Sequence, residues 1–587
     1  MREGIDPIRL EVLRNAFDTI ADEMALILMR TAYSAIVRDA MDFSTAICDA
    51  QGRTLAQGLT TPLHLGSFYD ALSHLIRQYG HETAPGDIFI ANDPYTASSQ
   101  HLPDIYIIHP VFAGDALCGW STTLAHHADV GGIIPGSNAL GAKEIYQEGL
   151  RLPFLKLYEA GRLNHAIWKI IETNVRVPDL VLGDLEAQIV GARTGADKLL
   201  DLVGTMGLSD YEHYVDVLHD YAETLARREI ADIPDGLYRF EDEIDGLGEA
   251  PDPIRLRVAV TVVGDTVSID WSGTSAQVEG GINAPIPFTR AAAYTAIRSV
   301  MASDVPNCHG YTRPIEVVAP AGTVVNPVEP AACGARGITG FRMIDCLFGA
   351  LAQACPDRVA ADGNGGSSLP TFAGRRDGRA SVFSETLMGN WGGTAAHDGQ
   401  DGVAHMGANQ SNVPVELIEL DYPIRIEQYA LVPDTGGPGR HRGGLAIVRD
   451  YRMLADDMLV SIRSDKRAFP PHGLFGGAAG EPSASLINPG TPGERAVPVL
   501  VIDPITLRRG DLFRHQLAGA GGHGSALDRD PEAVLQDLVL GRVSVRHAEE
   551  AYGVVLECLS PMRIDAAATR DRRATMREAE AASGPLA

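Results

Sequence analysis

The apolar residues near the start of the chain fall in a helical rhythm. Leu13, Phe17, Ile20, Met24 and Ile27 are spaced four, three, four and three apart, which lines one stripe of a long helix. Asp6-Pro7 supplies an N-cap followed by proline in the first turn, and the helix is predicted to run to about Tyr33. The period then changes: residues 42–48 read as a strand, 49–52 as a turn and 53–56 as the return strand. A helix is predicted over 67–79, and short apolar strands over 87–90, 105–112 and 118–124. From there to about residue 230 the pattern is mostly helical, clearest over 201–228. Ile254, Leu256, Val258, Val260 and Val262 then alternate with other residues. Gly264-Asp265 turns the chain, and Val267, Ile269 and Trp271 alternate again, so this stretch is a predicted β-hairpin. Residues 280–360 mix helix with loops, and 410–525, rich in Gly and Pro, read as β-structure with long connections. Closing helices are predicted over 533–545 and 546–552, and the last twenty residues, charged and Ala-rich, as a frayed end.

These elements add up to a mixed α/β, multi-domain protein. Its expected parts are an N-terminal α/β region (1–235) bearing the candidate chemistry, a middle region built on the hairpin (236–405) and a β-rich C-terminal region (406–587). A chain of 587 residues is too long for one ordinary core. Its net charge of −27 excludes the basic footprint of a nucleic-acid binder and disfavours docking on an anionic membrane. Seven scattered cysteines without a C-x-x-C pair form neither a disulfide framework nor a zinc ribbon, which fits a reducing cytoplasm. The first residues show no apolar leader, and no apolar run is long enough to suggest a membrane span.

The densest chemistry lies in Asn92–Asp104 and Leu124–Gly132. His101 and Asp104 are three apart around a proline-fixed bend, a spacing that can bring both side chains to one point. His126 or His127 follows about 25 residues later at the end of an apolar strand, so a return strand would complete a set of nitrogen and oxygen donors suited to a divalent metal. Asp39 and Asp42 form a second acidic pair; three apart on a strand they would face opposite ways unless the chain bends. There is no P-loop, no dinucleotide-binding glycine motif, no G-x-S-x-G and no H-E-x-x-H. Gly436–Gly444, with Arg440, His441 and Arg442 among its glycines, reads as a tight loop between strands, with an anion cradle as the alternative.

Taken together, several segments resemble the hydantoinase B/oxoprolinase family. They are Asp42-Phe-Ser44, Asn92-Asp-Pro-Tyr95, His101-Leu-Pro-Asp104, Ala125-His-His-Ala-Asp-Val-Gly-Gly132 and Glu144-Ile-Tyr-Gln-Glu148 with its continuation to Pro153. Asp270-Trp-Ser-Gly-Thr274, Asn412-Val-Pro-Val-Glu416, Gly436–Gly444 and Asp530-Pro-Glu-Ala-Val534 follow in the family's order, so the resemblance covers nearly the whole chain. It implies a two-protein machine working as a hetero-oligomer. A partner ATPase of the hydantoinase A type binds ATP and Mg and phosphorylates the oxygen of a small cyclic amide. The B-type subunit carries a divalent metal, Zn or Mn, and completes the hydrolysis. The implied ligands are Asp39, His101, Asp104 and His126, with Asp42 as the alternative fourth, and His127 or Asp129 orients the water or serves as base. The related carboxylases of acetone and acetophenone supply a second reading, and a non-catalytic scaffold for the ATPase a third. The chain departs from the family's usual pattern at Asp39, where Glu is common, at Thr96–Gln100, where a glycine pair is common, and at His523, where Tyr is more usual. Its polar loop, with Ser98, Ser99 and Gln100, suggests a hydantoin-like or oxoproline-like ring in preference to caprolactam.

Overall fold

The stripe of Leu13, Phe17, Ile20 and Met24 is the buried face of helix α1 (Pro7–Thr31), whose N-cap Asp6 accepts a hydrogen bond from the Ile8 amide. The computed structural model describes residues 5–58, 61–364 and 368–583. The leaderless start inferred from the first residues therefore lies, for residues 1–4, outside the described part. After α1 come α2 (Ala35–Arg38) and a seven-stranded sheet. Its members are β1 (Phe43–Asp49), β2 (Thr54–Gln57), β3 (Ile88–Ala91), β4 (Asp104–Ala113), β5 (Ala116–His126), β6 (Leu155–Glu159) and β7 (Arg162–Leu163). They are ordered β2-β1-β5-β4-β3-β6-β7, and every neighbouring pair is antiparallel.

Both faces of this sheet are covered. Ile105 and Ile107 of β4 point to the core shared with α1 and α5 (Pro178–Met206), while Tyr106 and Ile108 point to Phe68, Leu72 and Leu75 of α3 (Ser67–Tyr79). Burial on both sides is why the strands read as near-continuous apolar runs. Helix α4 (His165–Asn174) leads into α5, and α6 (Leu208–Ala231) follows it. The continuous helical stretch predicted over 201–228 is in fact two helices, because Gly207, with φ of 82°, breaks the chain between them.

The predicted hairpin is present. β9 (Ile254–Val263) pairs with β10 (Thr266–Asp270), Val262 opposite Val267, and its alternating apolar residues are buried. β8 (Gly236–Ile244) lies on one side of the pair, and β11 (Ile315–Val318) runs parallel to β10 on the other. Against this sheet pack α7 (Ile286–Ser299) and α8 (Gly337–Leu351), and every residue of α8 is buried. The C-terminal part holds a four-stranded and a five-stranded sheet that share a core of Phe372, Phe383, Tyr451 and Phe513. Its closing helices are Pro531–Val539 and Val545–Tyr552; the first stops short of its predicted end because Gly541 (φ 68°) turns the chain. The end predicted to fray is a helix, Ala566–Ser583, and residues 584–587 lie outside the described part. No helix among the described residues is long and apolar enough to cross a membrane.

Candidate metal centre

Strand register assembles the site. β4 begins at Asp104, β5 ends at His126, and their pairing sets these two residues directly opposite each other. β1 flanks β5 on the other side, with Phe43 opposite Ala125. Asp42 therefore stands beside His126, whose amide donates to the Asp42 carbonyl at 3.0 Å. Directly opposed residues share a face of a sheet, so three adjacent strands deliver two carboxylates and an imidazole to one place. His101 joins from the turn before β4, closed by the Asp104 amide donating to the His101 carbonyl at 3.1 Å.

One donor atom from each of His101, Asp104 and His126 lies within 4.8 Å of the others, and all three residues are buried. His101 Nδ1 lies 2.8 Å from the Gly334 carbonyl, which can only accept, so the proton sits on Nδ1 and Nε2 presents a lone pair. Burial, aided by the Arg336 guanidinium, lowers the His101 pKa to about 4, so the ring is neutral at physiological pH. Its Nε2 nevertheless faces Asp104 Oδ1 at 3.0 Å, acceptor against acceptor. Burial opposes ionisation of Asp104, but the Arg336 guanidinium outweighs it and holds that carboxyl well below the usual range. Burial also keeps His126 neutral, and neither of its ring nitrogens has a protein partner. Buried polar atoms in proteins are almost always satisfied. Four orphans in one cluster, imidazole and carboxylate together, fit a divalent ion of borderline softness.

The surroundings hold these groups in place. Arg336 Nη2 donates to Asp104 Oδ2 and, at 3.1 Å, to Gln100 Oε1. Glu148 Oε1 accepts from the Gly334 amide at 2.5 Å, so it holds the same residue whose carbonyl, in the next peptide group, orients His101. Burial pushes the Glu148 carboxyl up to about 8. His64, its Nδ1 2.7 Å from Ser44 Oγ, has its Nε2 3.9 Å from Asp104 Oδ2. A narrow cavity of about 30 Å³ opens among Asp42, His64, Asp104, His126, Arg336 and Arg463, with Phe288 and Phe341 on its apolar side. A roomier cavity of about 740 Å³ lies by Tyr33, Arg38, Arg376 and Tyr422 and contains none of the three donors; the chemistry singles out the narrow one.

The other residues singled out in the sequence fall elsewhere. Asp39 sits at the end of α2, its carboxylate held by Arg38 at 2.8 Å and outside the cluster. Met41, in the left-handed region at φ 59°, reverses the chain before Asp42, so the two aspartates separate and Asp42 is the one that lines the cavity. Burial, then repulsion from Asp104, raises the Asp42 carboxyl to about 7. His127 is turned to α5, where Nε2 meets Gln188 Oε1 at 2.9 Å. Asp129 caps the loop that follows, binding the amides of Gly131, Gly136 and Arg176 and the Arg176 guanidinium. Neither lines the cavity. The polar loop is likewise spent on the protein. Ser98 Oγ meets His74 Nδ1 at 3.3 Å, Ser99 Oγ donates to the Asp104 carbonyl at 3.2 Å, and Gln100 Nε2 to that of Leu63 at 2.7 Å. With those groups paired, the argument for a hydantoin-like ring over caprolactam loses its basis. The glycines of Gly436–Gly444 serve close backbone packing: a Cβ on Gly443 would lie 1.9 Å from the Ala520 carbonyl oxygen, and one on Gly437 2.3 Å from that of Ala478.

Sequence reasoning missed His64, Arg336 and Arg463, which come from three distant segments without any spacing signal. Glu148 was within reach, since it lies in one of the family-like segments. A second group, Asp242, Asp362 and His472, also brings three donor atoms within 4.8 Å. There the cations are the protein's own. Lys466 Nζ donates to Asp345 Oδ2 at 2.7 Å, to Asp362 Oδ1 and to the Gly363 carbonyl, and Arg342 binds Asp465 at 2.9 Å and Asp242 at 3.2 Å.

Comparison with known proteins agrees with the resemblance. The family profile of hydantoinase B/oxoprolinase matches residues 6–526. The B-type subunit of a putative D-/L-hydantoinase from Pseudomonas sp. (strain NS671) is 34% identical over 577 residues, covering 94% of this chain and 95% of the relative. The crystal structure of the ATP-dependent caprolactamase from Pseudomonas jessenii superposes with a TM-score of 0.91 at 28% identity, covering 97% of this chain and 100% of that one. The nucleotide-free structure of acetone carboxylase shares the fold, with a TM-score of 0.91 at 20% identity over 100% of this chain and 84% of that one. The chain belongs to the hydantoinase B/oxoprolinase family.

Proposed function

We propose that this chain is the metal-dependent half of an ATP-driven cyclic amide hydrolase, acting on a substrate whose amide oxygen a partner ATPase of the hydantoinase A type has phosphorylated. The observation that carries the reading is the orphaned donor set of His101, Asp104 and His126. These three would hold a divalent ion, Zn or Mn, with Asp42 in fourth place instead of Asp39. Such an ion would supply Lewis acidity toward a carbonyl-derived oxygen or toward water.

The chain's own residues divide the remaining work. Arg336 keeps Asp104 ionised, and Glu148 through Gly334 keeps the His101 lone pair turned inward. His64, tied by Ser44 at Nδ1, takes over from His127 as the group placed to accept a proton from water in the cavity. The cavity leaves room for roughly two waters, so what enters is the reacting end of a substrate and not a whole ring. A partner is needed because no nucleotide-binding motif is readable in the chain, and a relative named as one subunit of a hydantoinase supports that division.

The test is reconstitution with a hydantoinase A-type ATPase, followed by a screen of amide-dependent ATP hydrolysis across hydantoins, 5-oxoproline and lactams. About one divalent ion per chain and turnover only in the complex are expected. A metal-free chain with full activity, or ATP-coupled turnover by this chain alone, would overturn the reading.

A further inference from the structure

One wall of the cavity carries two guanidinium groups, of which Arg336 is paired with Asp104 while Arg463 has no carboxylate within ion-pair distance among the described residues. Arg463 ends the strand Met458–Arg463 and lies buried over the first residue of α8. A Cβ on Gly337 would lie 3.0 Å from its Nη2, so the guanidinium occupies the space in which any other residue would carry a side chain. Its Nη1 donates to the neutral Asn138 Oδ1 at 3.1 Å, its buried Nε has no partner, and no carboxylate pairs with it among the described residues. Arg336 stands next to it at the cap of α8; its Nη2 is committed to Asp104 and Gln100, while its buried Nε is also without a partner. The start of α8 adds to the same wall: no side chain caps it, and although the Ile338 amide donates to the Ala335 carbonyl at 3.3 Å, the N-terminal end of a helix carries partial positive charge. Buried charges are normally paired. Here the Arg463 guanidinium has no carboxylate partner and that of Arg336 is shared with Asp104 and Gln100; both line the cavity at the start of a 15-residue helix, each with a buried Nε–H left over.

We propose that Arg463, Arg336 and the first turn of α8 form an oxyanion subsite, which binds the phosphoryl group of the activated substrate and also accepts free inorganic phosphate. The proposal rests on the reading that substrate arrives phosphorylated. It adds to that reading the place where the phosphoryl group is held: opposite the His101, Asp104 and His126 donors, with Arg463 as the binding residue not already engaged with a carboxylate. Arg suits the task because its planar fork can offer two parallel donors to a tetrahedral oxyanion.

The test is phosphate binding to the full chain by calorimetry, with and without metal, for the wild type, Arg463→Met and Arg463→Lys. Thermal midpoint and metal content are measured on each. The wild type is expected to bind phosphate, Arg463→Met at least tenfold more weakly at unchanged metal content, and Arg463→Lys to fall between them. In the reconstituted complex, Arg463→Met should raise the concentration of phosphate needed for product inhibition by a similar factor, which ties the free anion to the site used by substrate. If Arg463→Met does not fold, a threefold or greater loss in Arg463→Lys, which keeps the charge and not the fork, supports the subsite. Undetectable binding by the wild type, or undiminished binding by a folded Arg463 variant, overturns it. Because binding is measured on this chain alone, absence of amide turnover in the complex would count against the proposed function and not against the subsite.

Discussion

Two clusters among the described residues bring three metal-type donors together, and they differ in what stands among the donors. Around Asp242, Asp362 and His472, Lys466 and Arg342 have already entered, and although burial opposes it, the bond to Asp362 raises His472 above its ordinary value. Around His101, Asp104 and His126 two acceptors face each other at 3.0 Å, and four polar atoms have no partner. Geometry alone cannot separate the two. The distinction lies in whether the folded chain satisfies its own donors: the first cluster is a closed ionic joint between the middle and C-terminal segments, and the second, on the proposed reading, is completed by an added ion.

The largest expected effect is on that added component. His101→Ala or His126→Ala should lower bound metal from about one equivalent to near zero and cut amide turnover in the complex by at least about 100-fold, beyond the range typical for outer partners of a metal site. Asp362→Asn should leave metal content unchanged. Equal metal loss from both clusters, read by elemental analysis, would erase the comparison. Next comes Lys466→Met, which removes the ammonium shared by Asp345 and Asp362 in the interior and leaves them the imidazoles of His405 and His472 and the more distant Arg342. A loss of about 3–5 kcal/mol is expected in denaturant titrations, the usual cost of removing one partner of a buried pair; a change below about 1 kcal/mol, the scale of an exposed pair, would show that the joint is not closed.

A finer distinction concerns pH. Glu148 has a folded value of about 8, above its unfolded one, so its contribution to stability is present at low pH and is lost as pH rises from about 4.5 through 8. Glu148→Gln mimics the protonated form and should flatten that part of the stability profile, whereas an unchanged slope would mean that Glu148 is ionised in the native protein. The buried His309 and His515 act in the opposite direction. Burial lowers them to about 4 and about 3, so both favour the fold above pH 6.5 and withdraw that support as pH falls toward those values. The smallest contrast is between the two N-terminal aspartates. Asp42→Asn should weaken metal binding measurably, while Asp39→Asn should leave it intact and change stability by less than about 1 kcal/mol, as expected for a partly exposed ion pair. The reverse result would restore Asp39 to the site.

The strands that build the centre were legible because their signals are local. The 254–271 and 42–56 hairpins follow from period and turn residues, and the helix expected over 67–79 is present with those bounds. The spacing of His101 and Asp104 around Pro103 foretold their convergence, and antiparallel return placed His126 opposite Asp104. What failed had non-local or conformational causes. β8 went unseen because Arg239, Glu241 and Glu243 alternate with Tyr238, Phe240 and Ile244 and mask a strand that is buried on one side only. Choosing between Asp39 and Asp42 depended on a left-handed methionine, a conformation that residue type does not announce. His127 differs from His126 only in direction, and direction comes from the sheet that forms around it. Arg336 and Arg463 reach the cavity through tertiary packing, which leaves no periodic trace.

Helix α8 touches both clusters. Arg336 at its cap binds Asp104, and Asp345, nine residues on, binds Lys466. At 1.5 Å per residue the helix is a strut of about 14 Å between them, and its angular phase is as fixed as its length. One inserted residue would turn everything downstream by about 100° and swing Asp345 away from Lys466 while Arg336 stayed in place. The segment can therefore accept changes of side chain, within the space its neighbours leave, but not of residue number. Insertions and deletions in this chain should collect outside 337–345, where the backbone is not used as a gauge.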